Sequence, residues 1–162
     1  MRRIAHVIAG LAILATTALA VAQSQTPDGL IRDLYEGYGV GPNSETSGVN
    51  SRTASRFFDR KLLALYKRAV ASEALDFDFF VNGQDFSLVK PIEINNISST
   101  GTSATVAATL TQNDAKDGKP FIRRDDFVFT LVNTAGGWRL HDATSGGKSV
   151  TDEWNAMIKG AK

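Results

Sequence analysis

Apolar residues recur every three to four positions in the first half of the chain and at every second position in the second half. The wider spacing is typical of a helix with one buried face, and strict alternation is typical of a half-buried strand. A first helix is predicted to start at Thr26-Pro27, because Thr accepts from a free N–H at a helix start and Pro loses no bond there. A second, longer helix is predicted from Arg52 to Ala74, after a loop from Gly39 to Ser51 rich in Gly, Ser and Asn.

Four strands are predicted after Ser87, where the apolar period changes to two. A polar hairpin loop from Asp114 to Pro120 separates the second strand from the third, and Trp138 to Asp142 forms the fourth. A last helix is predicted to begin at Ser149, whose side chain is placed to cap the first turn. Two helices, four sequential strands and a closing helix predict an α+β domain: one antiparallel meander sheet with helices on one face.

The first 22 residues have the features of a secretory signal peptide. Arg2-Arg3 precede a short apolar run that closes on Ala20-Val21-Ala22, so cleavage is predicted after Ala22. The run is short for a membrane span and polar residues follow it, so the mature form is expected to have no span. Residues 23–162 are then one domain, expected in the periplasm or secreted.

Composition excludes several classes of function. There is no cysteine, which excludes disulfides, thiol catalysis and a lipid-modified cysteine after the signal. Without residues 1–22 the chain keeps 16 of its 18 basic residues and all 17 acidic ones, a net charge of −1. A near-neutral domain has no electrostatic basis for nonspecific nucleic-acid binding. No metal site and no cofactor are predicted.

Two segments resemble a known family. Asp76-Phe77-Asp78-Phe79-Phe80-Val81-Asn82-Gly83-Gln84-Asp85, followed by strands and then Gly136-Gly137-Trp138-Arg139-Leu140-His141-Asp142, is similar to the exported bacterial proteins grouped as domain of unknown function 3828. The resemblance covers roughly Leu30 to Ile158. It implies a cone-shaped α+β domain of the nuclear transport factor 2-like, or cystatin-like, superfold, and it brings no agreed activity. The family pattern has proline after the second aspartate, where this chain has Phe79.

The acidic segment has three interpretations. Short carboxylates and amides bond nearby backbone N–H groups, so these side chains can cap the turn between the second helix and the sheet. They can instead contact a ligand or partner, or form a loose oxygen-ligand site; an EF-hand is excluded because Val81 stands where its glycine is required. The candidate binding residues are Asp76, Asp78, Phe79, Phe80, Gln84, Asp85 and Trp138.

His141 is the only histidine outside the predicted signal peptide, so histidine acid–base chemistry would have to use it. By strand alternation its neighbour Asp142 points to the other face, together with Trp138 and Leu140. Asp142 is therefore predicted either at the mouth of a concave cavity, as the weak catalytic candidate, or in bonds to the following loop and the last helix.

These observations favour a noncatalytic exported module that binds a small ligand or an envelope protein, an immunity-type inhibitor being one version. One alternative is a small pocket enzyme of isomerase or dehydratase type that uses Asp142 for proton abstraction. Asp76, Asp78 or one of three tyrosines would assist it: Tyr35, Tyr38 or Tyr66. The other is a structural component of the envelope. The enzyme requires an open pocket with an ionisable group inside it.

Overall fold

The computed structural model describes residues 26–40, 48–73, 75, 77–84 and 86–161. The predicted signal peptide with its cleavage position after Ala22, and the candidates Asp76 and Asp85, lie outside the described residues. Within them the chain is one α+β domain, as the hydrophobic pattern predicts. Its elements are α1 (Pro27–Glu36), α2 (Ala54–Phe57), α3 (Arg60–Ala71), a 3-10 turn (Phe79–Val81), β1 (Glu93–Ser99), β2 (Ser103–Lys116), β3 (Lys119–Thr134), β4 (Gly137–Ser145), β5 (Lys148–Ser149) and α4 (Val150–Gly160).

The two capped helix starts predicted from the sequence, at Thr26 and Ser149, are confirmed. The Thr26 side chain accepts from the Gly29 N–H at 3.2 Å, with Pro27 in the first turn of α1. The Ser149 side chain accepts from the Asp152 N–H at 3.2 Å at the start of α4. Each contact satisfies one of the backbone donors that a helix start leaves free.

The prediction of one long second helix is wrong, because the chain forms two helices, α2 and α3, separated at Phe58-Asp59. Phe58 is extended and pairs with Leu140 of β4, and the Asp59 N–H donates to the Leu140 carbonyl at 2.9 Å. The Asp59 side chain then accepts from the Leu62 N–H at 2.8 Å and starts α3. A tertiary backbone bond thus outweighs the local helical preference. The apolar stripe survives the break, because Phe58, Leu62 and Tyr66 are all buried.

Within the described residues the sheet has five antiparallel strands in the order β1-β2-β3-β4-β5. The meander is confirmed, and the count of four is corrected by the two-residue strand β5, which pairs with the end of β4. The hairpin loop is shorter than predicted, since pairing continues to Lys116 and Lys119 and only Asp117-Gly118 turn the chain. Both turn residues have positive φ, 53° and 74°, as this tight turn requires.

The helices cover one face of the sheet. Side chains alternate between buried and exposed along β2 and β3, with Val106 and Phe129 at 0% exposure and Val128 at 42%. Aromatic rings fill the space between the helices and this face. Phe58 packs edge-on against Tyr66 and Trp154 at centroid distances of 5.6 and 5.8 Å. The sheet face that the helices cover is therefore packed with aromatic side chains.

Candidate functional site

The segment that links α3 to the sheet forms a tight turn closed by Asp78. Backbone bonds join Asp78 and Gly83 in both directions, at 3.0 and 3.3 Å. The Asp78 carboxylate accepts from the Phe80 N–H at 2.9 Å and so caps the 3-10 turn. Asn82 ends that turn in the left-handed region, with φ of 49°. The capping interpretation is confirmed for Asp78.

A polar network between this turn and strands β2 and β3 fixes the turn to the sheet. We call this network the clamp; it consists of Asn82 from the turn, Gln112 from β2, and Arg123 and Asp125 from β3. Arg123 donates to the Val81 carbonyl at 2.8 Å and to the Asn82 carbonyl at 3.2 Å. Gln112 Nε2 also donates to the Val81 carbonyl at 2.8 Å. Because Gln112 is almost fully buried, its bonds fix the turn in one position.

Asp125 is the acidic centre of the clamp. Its carboxylate accepts from Arg123 Nε at 2.9 Å and from Gln112 Nε2 at 2.8 Å. Asn82 Nδ2 donates to the same carboxylate at 3.2 Å and to the Ser145 hydroxyl at 3.0 Å. Arg123 also pairs with Asp114. Each charged group of the clamp therefore has an opposite charge beside it.

On the other side of the turn lies a pocket of about 770 Å³, hereafter the pocket. It opens between the turn, the end of α3 and the start of α4. Its described lining residues are Val49, Asn50, Ser51, Tyr66, Val70, Glu73, Leu75, Phe77, Asp78, Phe79, Phe80, Gln84 and Trp154. The volume lies in the range of sites that hold drug-sized ligands.

Asp78 is the polar group that stands out in this lining. Its Oδ2 accepts from the Tyr38 hydroxyl at 2.8 Å. Burial raises the pKa of Asp78, although the bonds from Tyr38 and from the Phe80 N–H act in the opposite direction. Burial also raises the pKa of Tyr38 well above its usual value, with the charge of Asp78 as the next cause. The phenol is thus kept neutral and remains a donor to the carboxylate.

Four of the sequence-predicted binding residues meet at the pocket: Asp78, Phe79, Phe80 and Gln84 line it together. Phe79 and Phe80 are mostly buried and also belong to the core. Trp138 lies elsewhere, buried in β4 at 6% exposure, and is not among the lining residues of this pocket. A binding role for these residues stays a prediction.

Tyr66 was predicted at a site only as one of three tyrosines that could assist an enzyme, and the sequence pattern did not assign Glu73 and Trp154 to a site. The helical stripes placed Tyr66 and Trp154 in the core, where both are buried, and both also line the pocket. Their ring centroids lie 5.5 Å apart. A helical period indicates a buried face, and it contains no information about a gap between two such faces.

The predicted position of Asp142 at the mouth of a cavity is wrong. Thr130 pairs with Asp142 and Leu131 pairs with Leu140, so His141 is the extra residue of a β-bulge. The bulge reverses the alternation of faces. Asp142 accepts from the Thr151 N–H at 3.3 Å and from the Thr151 hydroxyl at 3.0 Å, and it thereby holds the first turn of α4. The alternative, bonds to the last helix, is confirmed.

The bulge also gives His141 a partner that strand alternation did not predict. Its Nδ1 lies 2.6 Å from Asp59 Oδ2, on the residue that starts α3. Asp142 and His141 do not form a dyad, as expected. Asp59 instead orients the ring, whose side chain is 40% exposed.

A second pocket of about 590 Å³ lies on the far side of Phe77 and Phe79. Its wall combines Arg124 and the ion pair between Lys148 and Glu153, 2.9 Å apart. Its described lining contains two basic residues, Arg124 and Lys148, and three acidic ones, Asp125, Asp126 and Glu153. In the described part of the chain, no group of three His, Cys, Asp or Glu side chains is placed to hold a metal ion. No helix among the described residues has the length and apolar character needed to cross a membrane.

No family model and no curated protein matches this chain. Among solved structures, it is similar to the intermembrane space region of the chloroplast protein ARC6, at 16% identity and a TM-score of 0.48, over 77% of this chain and 97% of that one. It is also similar to a phospholipid-binding protein from Ralstonia solanacearum in complex with a phospholipid, at 11% identity and a TM-score of 0.34, over 62% of this chain and 50% of that one. Neither similarity is close enough to assign a function.

Proposed function

We propose that this protein is a noncatalytic binding module whose pocket takes a small, largely apolar ligand. The observation that carries the proposal is an open pocket of ligand size, walled by aromatic rings and containing one partly buried carboxyl group, Asp78. Apolar walls with a few placed polar groups are the usual composition of a small-molecule site.

The rigidity of the wall supports this proposal. Tyr66 and Trp154 come from two helices that pack against each other, and their rings are in contact. Phe80 comes from the turn that the clamp fixes to the sheet, and the Tyr35 hydroxyl donates to its carbonyl at 2.7 Å. A wall built on fixed elements loses little entropy when a ligand binds, which favours affinity.

Catalysis by Asp142 or His141 is disfavoured by the positions of these two side chains. Asp142 is engaged with Thr151, and His141 is held by Asp59. Neither residue is among those that line the pocket. An enzyme that uses Asp142 is therefore disfavoured, whereas Asp78 and Tyr66, which the enzyme hypothesis named as assisting groups, do line the pocket.

We further propose that the module acts outside the cytoplasm, in the periplasm or after secretion, and belongs to the domain of unknown function 3828 type. This rests on the sequence of residues 1–22 and on the Asp76–Asp85 and Gly136–Asp142 segments. A cone-shaped domain belongs to the same proposal.

A neutral fluorescent probe tests whether the pocket binds ligands. N-phenyl-1-naphthylamine, added to the full chain, is expected to bind with an increase in fluorescence that saturates. Val70→Trp should abolish the saturable part, because Val70 is 40% exposed and lies on the pocket wall, where a larger ring enters the opening.

The matched control is Ala64→Trp, which adds the same ring to an exposed position of α3 outside the pocket lining. It should bind the probe like the unchanged protein. Equal binding by both variants, or no saturable binding by the unchanged protein, would overturn the proposal and favour the structural role or a protein-binding face.

A further inference from the structure

The charge of the pocket is one-sided. Its described lining contains two acidic residues, Glu73 and Asp78, and no Lys, Arg or His. The described residues of the two segments that supply most of the wall, 33–40 with 48–51 and 69–73 with 75 and 77–84, include no basic residue. Such a site attracts cations and repels anions.

The pocket wall is unusually rich in aromatic rings. Five side chains provide them: Tyr66, Phe77, Phe79, Phe80 and Trp154. The rings lie close together, with Tyr66 and Trp154 5.5 Å apart and Phe80 and Trp154 6.3 Å apart between centroids. The face of an aromatic ring carries partial negative charge and attracts ammonium groups, most strongly where water is excluded.

Asp78 also has capacity for a further bond. Each of its oxygens accepts one hydrogen bond, Oδ2 from the Tyr38 hydroxyl and Oδ1 from the Phe80 N–H. A carboxylate has about four acceptor positions, so both oxygens can accept again. Both present donors are neutral. Among the ion pairs of the described residues, none includes Asp78.

From the aromatic wall, the one-sided charge and the position of Asp78 together, we infer that the pocket selects a cation: an organic ammonium ion that carries an apolar group. The inference rests on the proposed function and names its ligand class. The ammonium group lies against the Asp78 carboxylate and the ring faces, and the apolar group fills the remaining space. A ligand with an anionic headgroup is excluded by the same charges.

Three probes of matched shape test the inference on the full chain. They are 1-naphthylmethylammonium, 1-naphthylmethanol and 1-naphthoate, which share one ring system and differ in charge. Isothermal titration at neutral pH is expected to give about tenfold tighter binding for the ammonium than for the alcohol, and no binding of the carboxylate.

Asp78→Asn isolates the charge, because an amide keeps an acceptor for the Phe80 N–H. It should remove most of the preference for the ammonium over the alcohol and leave the affinity for the alcohol unchanged. Glu93→Gln is the control, since it removes one negative charge at an exposed position of β1 outside the pocket. Its preference should equal that of the unchanged protein.

A second variant avoids dependence on the folding of Asp78→Asn. Glu73 is an exposed lining residue, so Glu73→Gln should fold normally and lower the affinity for the ammonium by a few fold, with no change for the alcohol. Tyr66→Leu should reduce ammonium binding more than alcohol binding, and Tyr66→Phe should retain both, because the ring face is the attracting group.

Equal affinity for the ammonium and the alcohol would overturn cation selection and leave the binding module intact. Tighter binding of 1-naphthoate would overturn it in favour of an anionic ligand. Absence of binding by all three probes and by N-phenyl-1-naphthylamine would overturn the binding module together with the inference.

Discussion

Two carboxylates lie on opposite sides of the same turn and differ in their partners. Asp125 lies in β3 of the sheet. Its carboxylate accepts from Arg123 at 2.9 Å, from Gln112 at 2.8 Å and from Asn82 at 3.2 Å. Asp78 lines the pocket, and among the described residues it accepts only from a phenol and a backbone N–H. One buried charge is matched by an opposite charge, and the other is not.

The difference separates architecture from a candidate site. A carboxylate that only holds the fold together is most stable with a cation beside it, because removal from water costs more than neutral donors return. A carboxylate left without a cation in a ligand-sized pocket has a raised pKa, which is a property of functional sites. Substitutions in the clamp around Asp125 and substitutions at Asp78 test the two carboxylates separately.

The largest effect is expected from Arg123→Met. It leaves Asp125 and Asp114 without their cation and removes donors from the Val81 and Asn82 carbonyls. The free energy of unfolding should fall by about 3 kcal/mol, measured by urea denaturation. Arg124→Met is the control. Arg124 is the exposed neighbour of Arg123, so its replacement should lower stability by no more than about 0.5 kcal/mol. Equal losses would show that the clamp does not stabilise the turn.

A smaller loss is expected from Asn82→Ala. The substitution removes two side-chain hydrogen bonds and places alanine at φ of 49°, so stability should fall by about 2 kcal/mol in the same denaturation experiment. Asn82→Gly loses the same bonds but accepts positive φ freely, so its stability should lie between those of Asn82→Ala and the unchanged protein. If glycine were as damaging as alanine, backbone strain would contribute nothing.

Local patterns predicted the parts of this fold that depend on neighbouring residues. The caps at Thr26 and Ser149, the alternation along β2 and the turn at Asp117-Gly118 each need only a few adjacent positions. The acidic segment was identified for the same reason, since Asp78 bonds a backbone group two residues away.

The remaining features depend on contacts distant in sequence. The break at Asp59 requires the Leu140 carbonyl, and Arg123 of β3 donates to Val81 in the 3-10 turn, so neither has a local signal. The bulge at His141 shifts every later side chain of β4 to the other face, which explains the error for Asp142. The pocket lies between elements that are distant in sequence, so its presence could not be predicted from composition or from local patterns.

Asp78→Asn should change how stability depends on pH. The pKa of Asp78 is raised in the folded state, so its contribution to stability is fully present below the ordinary aspartate pKa and is lost as pH rises through the raised value. Asparagine does not titrate. The variant should therefore match the unchanged protein in acid and become the more stable of the two toward neutral pH, in urea denaturation at a series of pH values.

Glu93→Gln controls for the loss of one negative charge, since its exposed side chain pairs only with Lys90 in the described structure. Its stability should run parallel to that of the unchanged protein at every pH. A parallel profile for Asp78→Asn as well would show that Asp78 is not desolvated in the folded protein, and the contrast with Asp125 would be lost.

The smallest change in the free energy of unfolding is expected at a buried hydroxyl, and it is a gain, in contrast to the losses expected in the clamp. Thr111 is 4% exposed, and its hydroxyl has no hydrogen-bond partner among the described residues. Thr111→Val replaces that hydroxyl with a methyl group of similar size, so the free energy of unfolding should rise by about 1 kcal/mol. Thr109→Val is the same exchange on the same face of β2, but the Thr109 hydroxyl donates to Asp126 at 2.6 Å and accepts from Asn95 at 2.8 Å, so stability should fall. A gain in stability for Thr111→Val together with a loss for Thr109→Val would show that the hydrogen-bond partners of a buried hydroxyl decide its contribution here more than its burial does. A loss of stability at both positions would mean that Thr111 makes a bond absent from this structure.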